Sequence, residues 1–309
     1  MQAPRHRPGR QGGYALSCVL FGLLASACTG EIDDGRTDPD TERLHLGRVH
    51  VLLEPGDDLE DGEPSSFEVT ARFAYVRGFD EDVARARIDM AVLPHDTLRP
   101  GECVPSDQLA VPSEVEAEGE VQELILLDAG DLQVKIGGEQ VRVPLSLVPD
   151  LLPYMSGVEY LYYGDELPAY DGTPELAVTA SGSVTDELPP FRADATVPQA
   201  LGLGATQGEL DAIEQGALAL HWQEAGSHLI TLRIVGLSSG ETTGAELTCV
   251  VEDRGAVRLD LADLRARGLA ADASTFRVTA SRLHTSTFDA GDFAGSELVI
   301  EHRETLTLQ

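Results

Sequence analysis

The feature that most constrains the fold of this chain is an alternation of apolar and polar residues with a period of two. Residues 67–75 read FEVTARFAY, in which apolar side chains occupy every second position. This pattern is typical of a β-strand with one buried face. The same period returns at 49–53, 158–162, 176–180, 230–234, 276–280 and 298–308. The sequence therefore predicts many short strands and an all-β fold.

Local signals predict one hairpin and one short helix. Residues 132–143 read LQVKI, then Gly137 and Gly138, then EQVRV. Glycine accepts the positive φ that a two-residue hairpin turn requires, so this stretch predicts a β-hairpin. Near the C-terminus, Asp260 as N-cap and Gly268 as the end favour a short helix between them.

A break in the alternation predicts a division of the chain into two domains. Residues 189–208 contain prolines and glycines with little periodicity, and we place a boundary near Ala200. The sequence predicts an N-terminal β domain at 45–198 and a C-terminal β-sandwich domain at 199–309. Both are expected to be β-sandwiches of the immunoglobulin-like type.

The N-terminus has the properties of a secretory signal peptide. Three arginines precede an apolar run at residues 14–28, which ends in the small residues Ala25, Ser26 and Ala27. Fifteen helical residues span ~23 Å, which is less than the ~30 Å hydrocarbon core of a membrane. We therefore expect residues 1–28 to act as a signal rather than as a membrane span.

The last five residues of that run, LASAC at 24–28, resemble the lipobox of bacterial lipoproteins. The resemblance departs from the commonest pattern at Ala25, where leucine is most frequent. It implies that Cys28 is lipidated and becomes the new N-terminus. By the sorting rule of such lipoproteins, the absence of Asp at position 29, which is Thr29, implies the outer membrane. The alternative is an ordinary signal peptide in which Cys28 is incidental. Residues 29–44, rich in Asp, Gly, Thr and Pro, predict a disordered tether.

The charge of the chain excludes several classes of partner. The chain has 309 residues, and removal of residues 1–28 leaves 19 basic residues against 53 acidic ones, a net charge of −34. This charge repels phosphate backbones, so we expect no binding of nucleic acid. It also disfavours docking on an anionic membrane through protein charge. The membrane is therefore expected as a partner only through the lipid anchor.

A looser resemblance concerns the C-terminal hundred residues. Trp222 is predicted to open a strand, Cys249 lies in a later strand, a turn is predicted at 253–255, and Leu261 and Leu264 form an LxxL pattern. This combination is similar to a module of uncharacterised envelope lipoproteins of high-GC Gram-negative bacteria. The resemblance implies a fold, and it implies no activity.

Two cysteines remain after the signal peptide and the lipidated residue are set aside. Cys103 and Cys249 could form a disulfide in an oxidising compartment, or they could be separate buried thiols. No CxxC motif or zinc-type spacing is present, so no redox or zinc chemistry is predicted.

A cluster of tyrosines is the candidate ligand-binding site. Tyrosine rings beside carboxylates can stack on a sugar ring and accept hydrogen bonds from its hydroxyls. The alternative is that alternate tyrosines pack into the core. The candidate residues are Tyr160, Tyr162, Tyr163, Asp165 and Tyr170.

No catalytic residue, metal ligand or cofactor is assigned from the sequence. Residues 236–240 match the G-x-S-x-G pattern around Ser238, but a strand rather than a helix is predicted to follow, so a hairpin loop explains the match. Acidic loops, among them DAGD at 128–131 and 289–292, could hold calcium, but they are expected in so acidic a chain.

Together these observations predict a non-enzymatic lipoprotein of the cell envelope. It would be a binding or scaffolding module, and its partner would be an envelope protein or a glycan. The alternative from another class is an envelope hydrolase that acts on a glycan or an ester. An ester hydrolase would use Ser238, and Asp253, His284 and His302 follow it in the order of such enzymes. A glycosidase would use paired carboxylates, which are set by distance in space and not by spacing in sequence.

Overall fold

A computed structural model describes residues 44–56, 65–88, 90, 93–109, 122–152, 155–168, 172–186, 188–226, 229–238 and 241–309. All of them belong to one compact unit, Glu42–Gln309. The predicted signal peptide, Cys28 and the predicted tether up to residue 43 lie outside these ranges. Leu44, the last residue assigned to the tether, is the first residue of a strand.

The described residues are mostly β-strand, as the alternation predicts. The strands are β1 (Leu44–Glu54), β2 (Ser66–Arg77), β3 (Cys103–Pro105), β4 (Glu123–Leu126), β5 (Leu132–Ile136), β6 (Glu139–Val143), β7 (Leu145–Leu152), β8 (Met155–Gly164), β9 (Glu175–Ala180), β10 (Phe191–Thr196), β11 (Ala217–His221), β12 (Leu229–Ser238), β13 (Glu241–Glu252), β14 (Ala256–Asp260), β15 (Thr275–Ala290) and β16 (Phe293–Leu308). The helices are α1 (Glu81–Arg87), α2 (Pro94–Thr97), α3 (Gln207–Glu214) and α4 (Leu261–Ala266), with a 3-10 turn at Ser106–Gln108.

One large sheet runs through the whole unit. Its ten strands follow the order β3-β13-β12-β15-β16-β1-β2-β4-β8-β7. A four-stranded sheet, β10-β9-β5-β6, and a two-stranded sheet, β11-β14, are separate from it. The all-β fold with packed sheets is confirmed.

Two large hydrophobic clusters lie on the same face of the ten-stranded sheet. The first is formed with the four-stranded sheet, and the second with the two-stranded sheet and α4. Phe288 of β15 belongs to the first cluster and Phe276 to the second. These two residues have the same strand parity, so both clusters face the same side. A third cluster, around Ala74 and Val76, lies on the opposite face and is covered by α1.

The predicted hairpin and helix are both present. Leu132 pairs with Val143 and Ile136 with Glu139, so Gly137 and Gly138 form the turn between β5 and β6. The Asp260 carboxylate accepts a hydrogen bond of 2.7 Å from the backbone N–H of Ala262, which makes it the N-cap of α4.

Two details differ from the sequence predictions. Trp222 follows β11 instead of opening a strand, because β11 ends at His221. The sequence analysis also missed α3, although Thr206 and Glu209 form a capping box at its start. Only its first two residues lie in the 189–208 break, and its eight residues are fewer than the roughly 11–18 over which a helical period of apolar side chains is recognised.

The two-domain division stays a prediction. The two large clusters are consistent with a division near Ala200. The hydrogen bonding, however, crosses it, because β1 pairs in parallel with β16 and β3 pairs with β13. A disulfide joins Cys103 to Cys249 at the second of these contacts, so β3 is covalently attached to β13.

Candidate functional site

The candidate site is a cleft at the corner where the chain passes from the four-stranded sheet to the ten-stranded sheet. Strand β6 is the edge of the smaller sheet, and after the single residue Pro144 the chain enters β7, the edge of the larger one. The corner leaves a cleft of about 690 Å³. Residues lining it include Asp128, Asp131, Arg142, Leu145, Tyr160 and Tyr162. A volume of this size lies within the range of ligand-binding clefts, about 300–1,000 Å³.

Tyr160 forms the floor of the cleft and fastens a loop. It is 1 % exposed, and its hydroxyl accepts a 2.8 Å hydrogen bond from the backbone N–H of Ala129. The same hydroxyl lies 2.6 Å from Oδ1 of Asp128, to which it donates, and 2.8 Å from the Gly130 carbonyl. Burial, together with the hydrogen bond to Asp128, raises the pKa of Tyr160 far above its ordinary value. Tyr160 thus packs in the core, as the alternative predicted, while its hydroxyl reaches the cleft.

Tyr162 forms part of the wall of the cleft. Its ring centroid lies 5.7 Å from that of Phe67, and the half-buried side chain packs against the first hydrophobic cluster. An aromatic wall of this kind provides apolar contact area to a bound group at a low entropy cost, since the ring is already held in place.

Two of the other predicted ligand residues, Tyr163 and Asp165, do not line the cleft. Tyr163 points to the opposite face of β8 from Tyr160 and Tyr162, where it is 74 % exposed. Its hydrogen bond to Glu68 raises the pKa of Tyr163. The backbone carbonyl of Asp165 accepts a 3.1 Å hydrogen bond from Ser65. Tyr170 lies outside the described residues. The structure therefore brings Tyr160 and Tyr162 together and places Tyr163 on the other side of the sheet.

The polar wall of the cleft comes from the 128–131 loop and from β6. Arg142 forms an ion pair with Asp131, and Ser181 accepts a 2.8 Å hydrogen bond from the backbone N–H of Asp131. The Asp128 carboxylate also accepts a 2.7 Å hydrogen bond from the N–H of Gly130. The DAGD motif at 128–131 thus shapes one wall of the cleft through hydrogen bonds to its own backbone.

Strand β7 presents an unusual edge beside this cleft. Leu145 is 45 % exposed and Leu147 is 77 % exposed. Leu145 is paired with Tyr160 and Leu147 with Val158, so both leucines lie on the face of the sheet that borders the cleft. The sequence analysis missed this edge. The alternation VPLSL at 143–147 and the proline at 149 were the signals, because proline within a strand marks an edge position.

Ser238 lies far from the residues that the hydrolase alternative would need. It ends β12, and β13 begins at Glu241, so the motif is a hairpin end. Its partners in that alternative are Asp253, His284 and His302. All three lie near Arg282, which is the strand partner of Ile230 at the start of β12. Arg282 donates a hydrogen bond to Asp253, is the strand partner of His302, and precedes His284 by two residues. The eight residue steps along the strand from Ile230 to Ser238 span about 27 Å, so Ser238 does not form a triad with these residues.

Within the described ranges, no group of three or more His, Cys, Asp or Glu side chains could hold a metal ion. In the same ranges, no helix is long and apolar enough to cross a membrane. In comparisons with known proteins, no protein-family model and no curated protein matches the chain.

Proposed function

We propose that this chain is a lipid-anchored protein of the Gram-negative cell envelope that acts as a non-catalytic binding or scaffolding module. Lipidated Cys28 would hold it in the membrane, with the outer membrane as the expected location. Residues 29–43 would separate the anchor from the β-sheet unit. An envelope protein or a glycan would bind at the cleft between β6 and β8.

The observation that carries this proposal is the make-up of the cleft. An aromatic side chain, Tyr162, and an exposed apolar side chain, Leu145, stand opposite a polar wall containing Asp131 and Arg142. Sites that bind without chemistry typically combine apolar contact area with a few polar groups that fix orientation. The polar groups of this wall already hydrogen-bond one another, which holds them in place.

A direct test separates this proposal from the serine-hydrolase form of the alternative. A fluorophosphonate probe should leave Ser238 unlabelled in the wild-type protein, and Ser238→Ala should give the same background as wild type. The cleft proposal also predicts that Tyr162→Ala weakens at least tenfold whichever interaction a glycan array or envelope cross-linking reveals. Tyr163→Ala is the matched control, because Tyr163 lies on the opposite face of the same strand. Labelling of Ser238 would contradict the non-catalytic proposal.

A further inference from the structure

The backbone of β7 has a free hydrogen-bonding edge within the part of the chain that the structure describes. The order of the ten-stranded sheet ends at β7, which pairs only with β8 there. The N–H of Leu161 donates to the carbonyl of Pro144 at 3.1 Å, and Ser146 lies opposite Glu159. In an antiparallel pair, hydrogen-bonded positions alternate, so Ser146 and Val148 direct their N–H and C=O groups toward β8. Leu145 and Leu147 therefore direct theirs outward.

The side chains on this edge add to the free backbone. Of the four large hydrophobic side chains that are exposed among the described residues, Leu145 and Leu147 are two. Both also lie on the side of β7 that faces the cleft. Natural proteins normally protect an edge strand with charge, a bulge or proline. Here the irregular pairing begins only after Val148, and Pro149 follows it. Within the described residues, neither a bulge nor a proline prevents another strand from pairing with residues 145–148.

We propose that an extended, basic peptide segment of a partner protein adds as a further strand to β7 at residues 145–148. This inference rests on the proposed binding function and names the chemistry of its partner. The outward N–H and C=O groups of Leu145 and Leu147 would pair with the peptide backbone. Apolar side chains at alternate peptide positions would cover the two leucines, as in other cases of strand addition.

The charge around the corner selects the partner. The carboxylates of Asp128 and Asp131 line the cleft, and the Asp186 carboxylate lies 2.6 Å from the backbone nitrogen of Asp128. Among these described groups, Arg142 is the one guanidinium, and it is already paired with Asp131. A peptide with lysine or arginine at its polar positions is therefore attracted. A second copy of this chain is disfavoured, because each copy carries a net charge of −31 before processing.

The test uses a synthetic probe, a fluorescein-labelled peptide of the sequence KVKVKVK with a blocked C-terminus, in a binding titration with the soluble Cys28→Ser protein at 150 mM salt. Two variants of this peptide are compared, one N-methylated at all valines and one N-methylated at all lysines. In a β-strand, valine and lysine N–H groups point to opposite edges. Strand addition therefore predicts that one methylated peptide binds at least tenfold more weakly, while the other binds like the parent.

Protein variants test the same contact from the other side. Leu147→Pro removes an outward N–H without removing a β7–β8 hydrogen bond, and we expect at least tenfold weaker binding of the parent peptide. Leu147→Ser keeps the N–H and removes the apolar side chain, so a smaller loss is expected. Tyr163→Ser is the matched control, because Tyr163 is also an exposed large side chain but lies on the opposite face of the sheet; its binding should equal that of wild type.

Three results would overturn the inference. If both methylated peptides lost affinity equally, or both kept the affinity of the parent peptide, binding would be attraction by charge alone. Concentration-dependent dimers that Leu147→Pro abolishes would identify a second copy as the occupant. The protein could bind a glycan, lose that binding in Tyr162→Ala, and bind no peptide. This result would overturn the peptide inference but leave the proposed binding function intact. The methylated peptides are tested with protein in which β7 has its native sequence. The inference therefore stays testable even if Leu147→Pro fails to fold.

Discussion

At the scale of single residues, the most buried charge in the described part of the chain is a structural junction. Arg282 is 0 % exposed, and its Nε and Nη2 atoms each lie 3.0 Å from the Asp253 carboxylate. Trp222 donates to the same carboxylate at 2.7 Å. Arg282 also donates to the carbonyls of Gln199 and Gln223 at 2.6 Å each. One guanidinium therefore fastens two loops to β15.

Removing this guanidinium should strongly destabilise the fold. Arg282→Met leaves the Asp253 carboxylate buried without its cation, and we expect the free energy of unfolding to fall by about 3–5 kcal/mol. The matched control is Arg192→Met, which breaks an exposed ion pair with Asp194 and should cost much less, because water screens the charges of that pair. Urea denaturation of both variants measures the difference, and equal losses would contradict a special role for the buried pair.

A second buried residue makes stability depend on pH. His302 is 2 % exposed, and its Nδ1 lies 3.7 Å from Oε1 of Glu304. Burial lowers the pKa of His302, and the charge of Arg282 lowers it further, while Glu304 opposes this change. The folded protein therefore holds a neutral imidazole at a pH where the unfolded chain is already protonated.

The sign of the effect follows from linkage. With a folded pKa below the unfolded value of about 6.5, the stabilisation is complete above that pH and is lost as the pH falls below it, by up to about 1.4 kcal/mol per pH unit. Glu301, whose pKa is lowered by His50 and Arg303 despite its burial, adds its own loss only below about pH 4.5. Between pH 6.5 and 5, His302→Gln should show a flatter stability curve than wild type. Parallel curves would contradict this assignment.

At the scale of elements, the sequence predicted the strands better than their arrangement. Strands such as β2 and the β5–β6 hairpin have local signals, namely alternation and a Gly-Gly turn, and both were predicted. The parallel pairing of β1 with β16 joins residues about 250 positions apart, and no local signal encodes it. Tyr160 and Tyr162 were singled out as part of a tyrosine cluster, whereas no local signal predicts the hydrogen bond of the Tyr160 hydroxyl to Asp128, which lies 32 residues away in the sequence.

The shortest strand offers an element-scale prediction. Strand β3 has only three residues, and the Cys103–Cys249 disulfide joins it to β13 across 146 residues of sequence. Replacing both cysteines by alanine should lower the free energy of unfolding by about 2–5 kcal/mol. Because β3 is a short edge strand, we also expect faster amide exchange at residues 101–104, where Gly101 donates to the Val250 carbonyl.

The control for this prediction lies within the same variant. Amide exchange in β9, which pairs on both sides with β5 and β10, should change only as much as global stability does. If the amides of residues 101–104 kept their wild-type protection in the alanine variant, the disulfide would not be what holds β3 in place.

At the scale of the whole molecule, the acidic charge and the sheet architecture both favour the binding of a basic partner at the cleft. A net charge of −31 for the full chain keeps copies apart and attracts basic partners. The ten-stranded sheet carries both large hydrophobic clusters on one face, and β7 ends that sheet beside the cleft. The proposed anchor supplies location, and the cleft with its free edge supplies recognition.

The central claim is that this recognition surface is held at the membrane by a lipid on Cys28. The most direct measurement is intact mass and membrane fractionation of the full chain expressed in a Gram-negative host, as wild type, Cys28→Ser and Cys18→Ser. We expect wild type and Cys18→Ser to give residues 28–309 plus acyl chains in the membrane fraction, because Cys18 is removed with the signal peptide. Cys28→Ser should lose both the added mass and the membrane association. A wild-type product that is soluble and carries no acyl chain would contradict the account.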